Sequence, residues 1–275
     1  MKKILCVLSE WGYWGEELIG PLEVLEQAGY SVDFATPTGK RPVALPPSMD
    51  RSYVDPPLGC AVTSLEMAEK VRTIDDRKNP RLDKPIDLSS ILPVYPYHCD
   101  PQYLRKMEKY YQVLDGIEKW TEQYAGLLLV GGSGPIVDLA NNHRIHDLIL
   151  TFYRNSKPIA AECYAVTCLA FARDLTERRS ILQGKHVTGH CKEYDYLDGT
   201  GFVGTDFVMG PPPYPLEYIL RDATAPDGQY HGNYGKPTSV IVDYPFITGR
   251  STPDSYLTGQ NFVEVLEHNL RRFGW

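Results

Sequence analysis

The stretch Lys157-Pro158-Ile159-Ala160-Ala161-Glu162-Cys163-Tyr164-Ala165-Val166-Thr167-Cys168-Leu169-Ala170 leaves this chain few architectures. An apolar run of strand type stops at a cysteine and continues as a small-residue segment of helical type. A chain that turns this sharply lifts the turn side chain out of the sheet and into a crevice. It also aims the first free helix N–H groups at whatever sits there. A thiolate at such a place is favoured by the helix N-terminus. The other reading is a small buried core cysteine, the commoner fate of this residue type. Taken alone, the stretch leaves both open.

The rest of the chain supplies the sheet around that turn. Residues 2–9 read as a buried strand. From Glu16 to Ala28, apolar Leu18, Ile19, Leu22 and Leu25 recur at helical spacing, with Gly29 as the stop. Ser31 to Thr36 reads as a second strand, which completes a βαβ unit and predicts a parallel sheet. Residues 40–120 break the pattern with prolines at 42, 46, 47, 56, 57, 80, 85, 93 and 96. Helices are expected there near 61–74 and 101–121, but the apolar content is too thin for a separate core. We therefore expect one α/β domain over 1–275, with 40–120 as a largely helical insertion that serves as a lid or a dimer surface.

The alternation then resumes. A strand at 126–130 meets Gly131-Gly132-Ser133-Gly134, a helix is expected over 142–155, and the strand at 158–162 leads through Cys163 into a helix to about Arg173. A short strand is expected from His186 to His190. Residues 195–237 are rich in glycine and proline, and Gly210 to Pro215 lead into a short helix or strand at 216–222. Ser239 to Tyr244 and Phe246 to Thr248 read as strands, and a last helix runs to Arg272. The expected fold is α/β: a doubly wound, mostly parallel sheet sandwiched by helices.

Charge and cysteine usage narrow the function classes. A net charge of −7 argues against nucleic acid as a partner and gives no footprint for an anionic membrane. No apolar run approaches the length of a transmembrane helix. The apolar start at Ile4 to Leu8 is too short for a signal peptide, so a cytoplasmic location is expected. Six cysteines without a CxxC pair read as reduced thiols. No metal is expected, since the adjacent His190 and Cys191 lack two further ligands at suitable spacing. The glycine run is neither a Walker A loop nor a GxGxxG fingerprint, and no cofactor is expected.

Ligands of parallel α/β sheets bind at the carboxyl ends of the strands. Three such ends carry notable residues. After the first strand, Trp11-Gly12-Tyr13-Trp14-Gly15 leads to Glu16 and Glu17. A carboxyl there serves the helix dipole in the ordinary case. Bonded to a thiolate it would instead hold a proton and act as general acid and base. Trp14 either plugs the top of the sheet or walls a pocket above Glu17. At the second end, backbone N–H groups of Gly131 and Gly132 can face an oxyanion, although a tight turn explains the same glycines. The third end is Cys163.

Together these residues resemble the ThiJ/PfpI superfamily, which has the flavodoxin-like, class I glutamine-amidotransferase-like fold and includes the parkinsonism-associated deglycase. The resemblance lies in Glu17-Leu18-Ile19-Gly20-Pro21, Val130-Gly131-Gly132-Ser133-Gly134, Ile159-Ala160-Ala161-Glu162-Cys163 and Leu257-Thr258-Gly259-Gln260-Asn261, in the family's order. The long insertion resembles that of the heat-shock-chaperone and glyoxalase III branch. The resemblance implies Cys163 as nucleophile, kept ionised, with Glu17 as its acid/base partner, Gly132 and Tyr164 as oxyanion donors, and a homodimer. It also carries a departure: the branch places histidine directly after the nucleophile, and Tyr164 stands there. His190 is the preferred substitute, ahead of Tyr164 as a phenol donor, His98 and His231. A glutamine amidotransferase triad is excluded, because Glu264, Glu267 and His268 come in the wrong order.

The function expected is cofactor-independent attack of Cys163 on a small electrophile such as a 2-oxoaldehyde, carbonyl, nitrile or isonitrile, by lyase, hydratase or hydrolase chemistry. The competing reading is a stress-response redox sensor or chaperone that works through oxidation of Cys163.

Overall fold

A computed structural model describes residues 2–55, 58–195 and 215–275. The Gly210–Tyr214 part of the proline-rich lead-in falls outside the described residues. The chain opens with β1 (Lys3–Val7), α1 (Gly15–Gln27) and β2 (Ser31–Thr36). The insertion then forms a hairpin of β3 (Val54–Asp55) and β4 (Cys60–Ala61), helix α2 (Leu65–Asp75), strand β5 (Ile86–Asp87), the short α3 (Leu88–Ile91) and the long α4 (Tyr103–Thr121). The second half follows with β6 (Gly126–Leu129), α5 (Gly134–Asp138), α6 (His143–Arg154), β7 (Ile159–Glu162) and α7 (Val166–Phe171). It ends with β8 (His186–Val187), α8 (Leu216–Thr224), β9 (Gln229–Tyr230), β10 (Val240–Asp243), β11 (Phe246–Gly249), α9 (Ser255–His268) and β12 (Arg272–Phe273).

Eight strands make the central sheet in the order β12-β10-β11-β7-β6-β1-β2-β5. The run from β11 to β5 is parallel; β10 pairs antiparallel with both β11 and β12. Strands buried on both faces must be apolar throughout, which is why they read as continuous runs. The two-residue alternation sends Leu5 and Val7 to one face, with Leu148, Phe152 and Leu169. Ile4, Cys6 and Leu8 go to the other, with Leu18, Leu22 and Phe262.

Four expectations change. The segment 186–190 is a strand only at His186–Val187, and it pairs with β9 outside the central sheet. Thr188 is drawn instead into side-chain bonds with Thr248 and the His231 carbonyl. The helix after Cys163 begins as a 3-10 turn at Cys163–Ala165 and ends at Phe171. The final helix stops at His268, where Asn269 takes a left-handed conformation and releases the chain into β12. Lastly, the insertion contributes β5 to the edge of the central sheet, and α4 places Tyr110, Leu114 and Ile117 in the same core as β6 and β7.

Candidate active site

The site lies where the carboxyl ends of β1, β6, β7 and β11 meet. Cys163 follows β7 directly and holds φ at 55°, a left-handed value that a non-glycine residue adopts at a cost of about 1–3 kcal/mol. The strain turns the side chain out of the sheet. Cys168, one turn on, is fully buried in the core instead, as is Cys6.

Glu17 comes from the first turn of α1 and is only 2% exposed. Its place is made by Gly131: a Cβ there would overlap Glu17 Oε2 and lie 2.8 Å from the Cys163 Cβ. Thr252 donates to Glu17 Oε1 at 3.4 Å, the Gly132 N–H faces the carboxyl, and the Cys163 thiol is its other polar neighbour. Oε2 is buried without a hydrogen-bond partner among the described residues. Burial pushes the carboxyl up to about 8, against the opposing pull of the Cys163, Thr252 and Gly132 bonds. Glu17 is therefore a neutral acid near pH 7.

The thiol differs from the expectation. Burial raises the Cys163 pKa, as does Glu17 once it ionises, and the backbone N–H groups of Gly132 and Tyr164 offset this only in part. A three-residue 3-10 turn leading into a six-residue helix is a weak dipole source. Cys163 rests as a thiol, and a base must take its proton when it reacts.

His190 is placed to do so. Its Nδ1 lies 3.6 Å from Cys163 Sγ. Its Nε2 lies 3.2 Å from Asp195 Oδ1, out of line for a hydrogen bond. A carboxylate on the Nε2 side favours the proton there, which leaves Nδ1 free to accept. Tyr164 donates its phenol to the same Asp195 oxygen at 2.7 Å and packs its ring 4.2 Å from that of His190. Tyr164, next to the nucleophile, thus buttresses a histidine brought in from another loop. That loop is pinned by the Tyr230 hydroxyl, which donates to the Gly189 and His190 carbonyls.

A cavity of about 360 Å³ opens above these groups. Trp14, Gly132, Tyr164 and His190 line it together with Glu17 and Cys163. The Trp14 indole N–H is buried with no partner among the described residues. The aromatic run divides: Trp11 is half exposed, and Tyr13 is fully buried with its hydroxyl toward Asp75. His98 is exposed in the insertion, and His231 bonds His186, so neither reaches the sulfur. Among the described residues no group of histidine, cysteine and acidic side chains is arranged to hold a metal ion. No described helix is long and apolar enough to cross a membrane.

Three further groups escaped the sequence reading. Asp195 lacks any periodic signal; its only clue is its place five residues after His190. Glu162 is fully buried beneath the nucleophile, where Ser255 donates to it at 2.8 Å, and burial and the charges of Glu17 and Asp254 hold its pKa well up. Arg250, 1% exposed, spends its terminal nitrogens on the Asn233, Lys236 and Pro237 carbonyls and so fixes that loop against the cavity.

A model described as ThiJ/PfpI family-like matches residues 8–189. No curated protein matches the chain. Among solved structures, the Francisella tularensis Rapid Encystment Protein 24 KDa is 20% identical, with 97% of this chain and 99% of that chain covered and a TM-score of 0.67. Glyoxalase III from Candida albicans is 17% identical, with 98% of each chain covered and a TM-score of 0.64. Drosophila melanogaster DJ-1beta is 16% identical, with 97% of this chain and 90% of that chain covered and a TM-score of 0.54. At such identities the likeness shows a shared fold.

Proposed function

Because the chain belongs to the ThiJ/PfpI-like family, whose model spans most of its length, we propose that it is an enzyme whose Cys163 attacks a small electrophilic carbon. The observation that carries this reading is the set of groups around one sulfur: a base 3.6 Å away, a neutral acid beside it and two backbone N–H donors.

For a 2-oxoaldehyde the steps follow from those positions. Sγ adds to the aldehyde carbon while its proton passes to His190 Nδ1. The oxygen gains charge against the Gly132 and Tyr164 N–H groups and takes the Glu17 proton, which gives a hemithioacetal. Glu17, now a carboxylate, removes the hydrogen from that carbon and delivers it to the neighbouring carbonyl carbon as the oxygen there is protonated by His190. The hydroxyl on the first carbon returns its proton to Glu17 as it becomes a carbonyl, and the result is a 2-hydroxy thioester. Water then cleaves the C–S bond, its hydroxyl going to the acyl carbon and its proton to the sulfur, which releases a 2-hydroxy acid and restores the thiol. The same groups can add water to an isonitrile carbon through a thioimidate. Asp195 acts by holding the His190 ring.

Turnover is the test. Wild type should convert methylglyoxal or phenylglyoxal to the hydroxy acid, or an isonitrile to the formamide, with products read by NMR. Cys163→Ser should fall to background, and Glu17→Gln should lose about 10²–10⁴ in kcat. If wild type turns over none of these while mild peroxide converts Cys163 to a sulfinic acid, the sensor reading replaces this one.

A further inference from the structure

Resting on that reading of the site, we infer that the substrate carries a bulky apolar group, of aryl or cycloalkyl size, seated against a wall that the insertion supplies. Of the reacting groups, Gly132 and Cys163 follow strand ends, Glu17 stands on the first turn of α1 and His190 on the loop after β8. From the proline-rich insertion come Leu45, Leu58, Ala61 and Val62, with Asp55 and Cys60 beside them on the hairpin, and Pro253 extends the apolar surface. The Leu45 side chain reaches to the Gly132 turn: a Cβ on Gly132 would lie 3.1 Å from its Cδ1.

Volume leaves room for a large electrophile. At roughly 30 Å³ per water-sized unit, about 360 Å³ holds on the order of a dozen such units. A three-carbon dicarbonyl fills less than about half of that and leaves the apolar wall untouched. A benzene or cyclohexane ring on the same reacting group fills the remainder and replaces water against leucine and valine.

Charge decides between an apolar and an anionic group. The deepest cation of the cavity, Arg250, bonds three backbone carbonyls through its terminal nitrogens, and its Nε lies 3.7 Å from Asp254. Its planar face is covered by the Tyr194 ring at 5.6 Å. With both terminal nitrogens engaged, only the buried Nε–H lacks a hydrogen-bond partner among the described residues, and beside Asp254 it offers a substrate carboxylate no two-pronged grip. The other lining cation, Lys236, is exposed.

Two matched comparisons test this. The first is kcat/KM for phenylglyoxal against methylglyoxal, and for cyclohexyl against methyl isocyanide, with wild type and Leu58→Asn. The second needs no turnover: the rate at which N-phenylmaleimide and N-methylmaleimide alkylate Cys163, followed by the mass of the Cys163 peptide. We expect the ring-bearing substrate to win by about 30-fold or more, and Leu58→Asn to cut that ratio several-fold. Equal or better turnover of the small partner overturns the inference and leaves the proposed function standing. So does a preference for an anionic oxo acid that is lost in Lys236→Ala. If no electrophile turns over yet the phenyl reagent alkylates Cys163 faster, the enzyme reading fails and the apolar seat survives. If no electrophile turns over and the phenyl reagent alkylates Cys163 no faster than the methyl one, both fall.

Discussion

At the scale of single residues, the site rests on a carboxyl that burial keeps neutral. In the unfolded chain Glu17 gives up its proton near 4.5; in the folded chain it does so near 8. Between these values the native state holds one proton more than the unfolded state, so this group's stabilisation is lost as pH rises through 8. Glu17→Gln cannot lose a proton. The stability of wild type relative to that variant should therefore fall between pH 5 and pH 8.5, measured by urea unfolding at each pH; a flat difference would show that the acid is not buried as described. Cys163 and Glu17 were legible because short motifs mark strand ends and helix starts. The protonation of the thiol was not, since it depends on burial and on a charge distant in sequence. Asp195 was invisible for a related reason: nothing local distinguishes a loop aspartate that lies beside a histidine.

At the scale of elements, α1 and α9 carry two of the family-like motifs and pack directly on each other. A Cβ on Gly20 would come within 2.8 Å of the Ser255 Cβ, and one on Gly259 within 2.7 Å of the Pro21 Cα. Those glycines let the helices approach closely enough for Thr252, just before α9, to reach Glu17. Gly259→Val should destabilise the fold by about 1–3 kcal/mol through overpacking, read from the urea midpoint. It should also raise KM more than a surface Glu264→Val of similar chemistry. Helices and parallel strands were legible here because their periods are long enough to count. The two-residue strands β5 and β12 were not: their pairing is decided by which edge the chain happens to reach.

At the scale of the whole molecule, the 40–120 stretch is bound into the domain at several places. Strand β5 closes one edge of the sheet, Tyr110 of α4 donates its hydroxyl to the buried Asp147, and Trp120 packs on the core beneath β6. Unfolding should then be one cooperative event. In a protein whose other tryptophans are phenylalanine, Trp120 fluorescence and far-UV circular dichroism should trace the same urea transition. An earlier fluorescence transition would show an insertion that melts by itself.

The Gly131 turn is hemmed in from three sides at once. A Cβ there would run into the Glu17 carboxyl oxygen, come within 2.5 Å of the Glu162 carbonyl and within 2.8 Å of the Cys163 Cβ. Removing the carboxyl would therefore not free the position, because the backbone of the nucleophile's own strand still fills it. Bareness at this one residue is a condition set jointly by the acid, the strand and the sulfur.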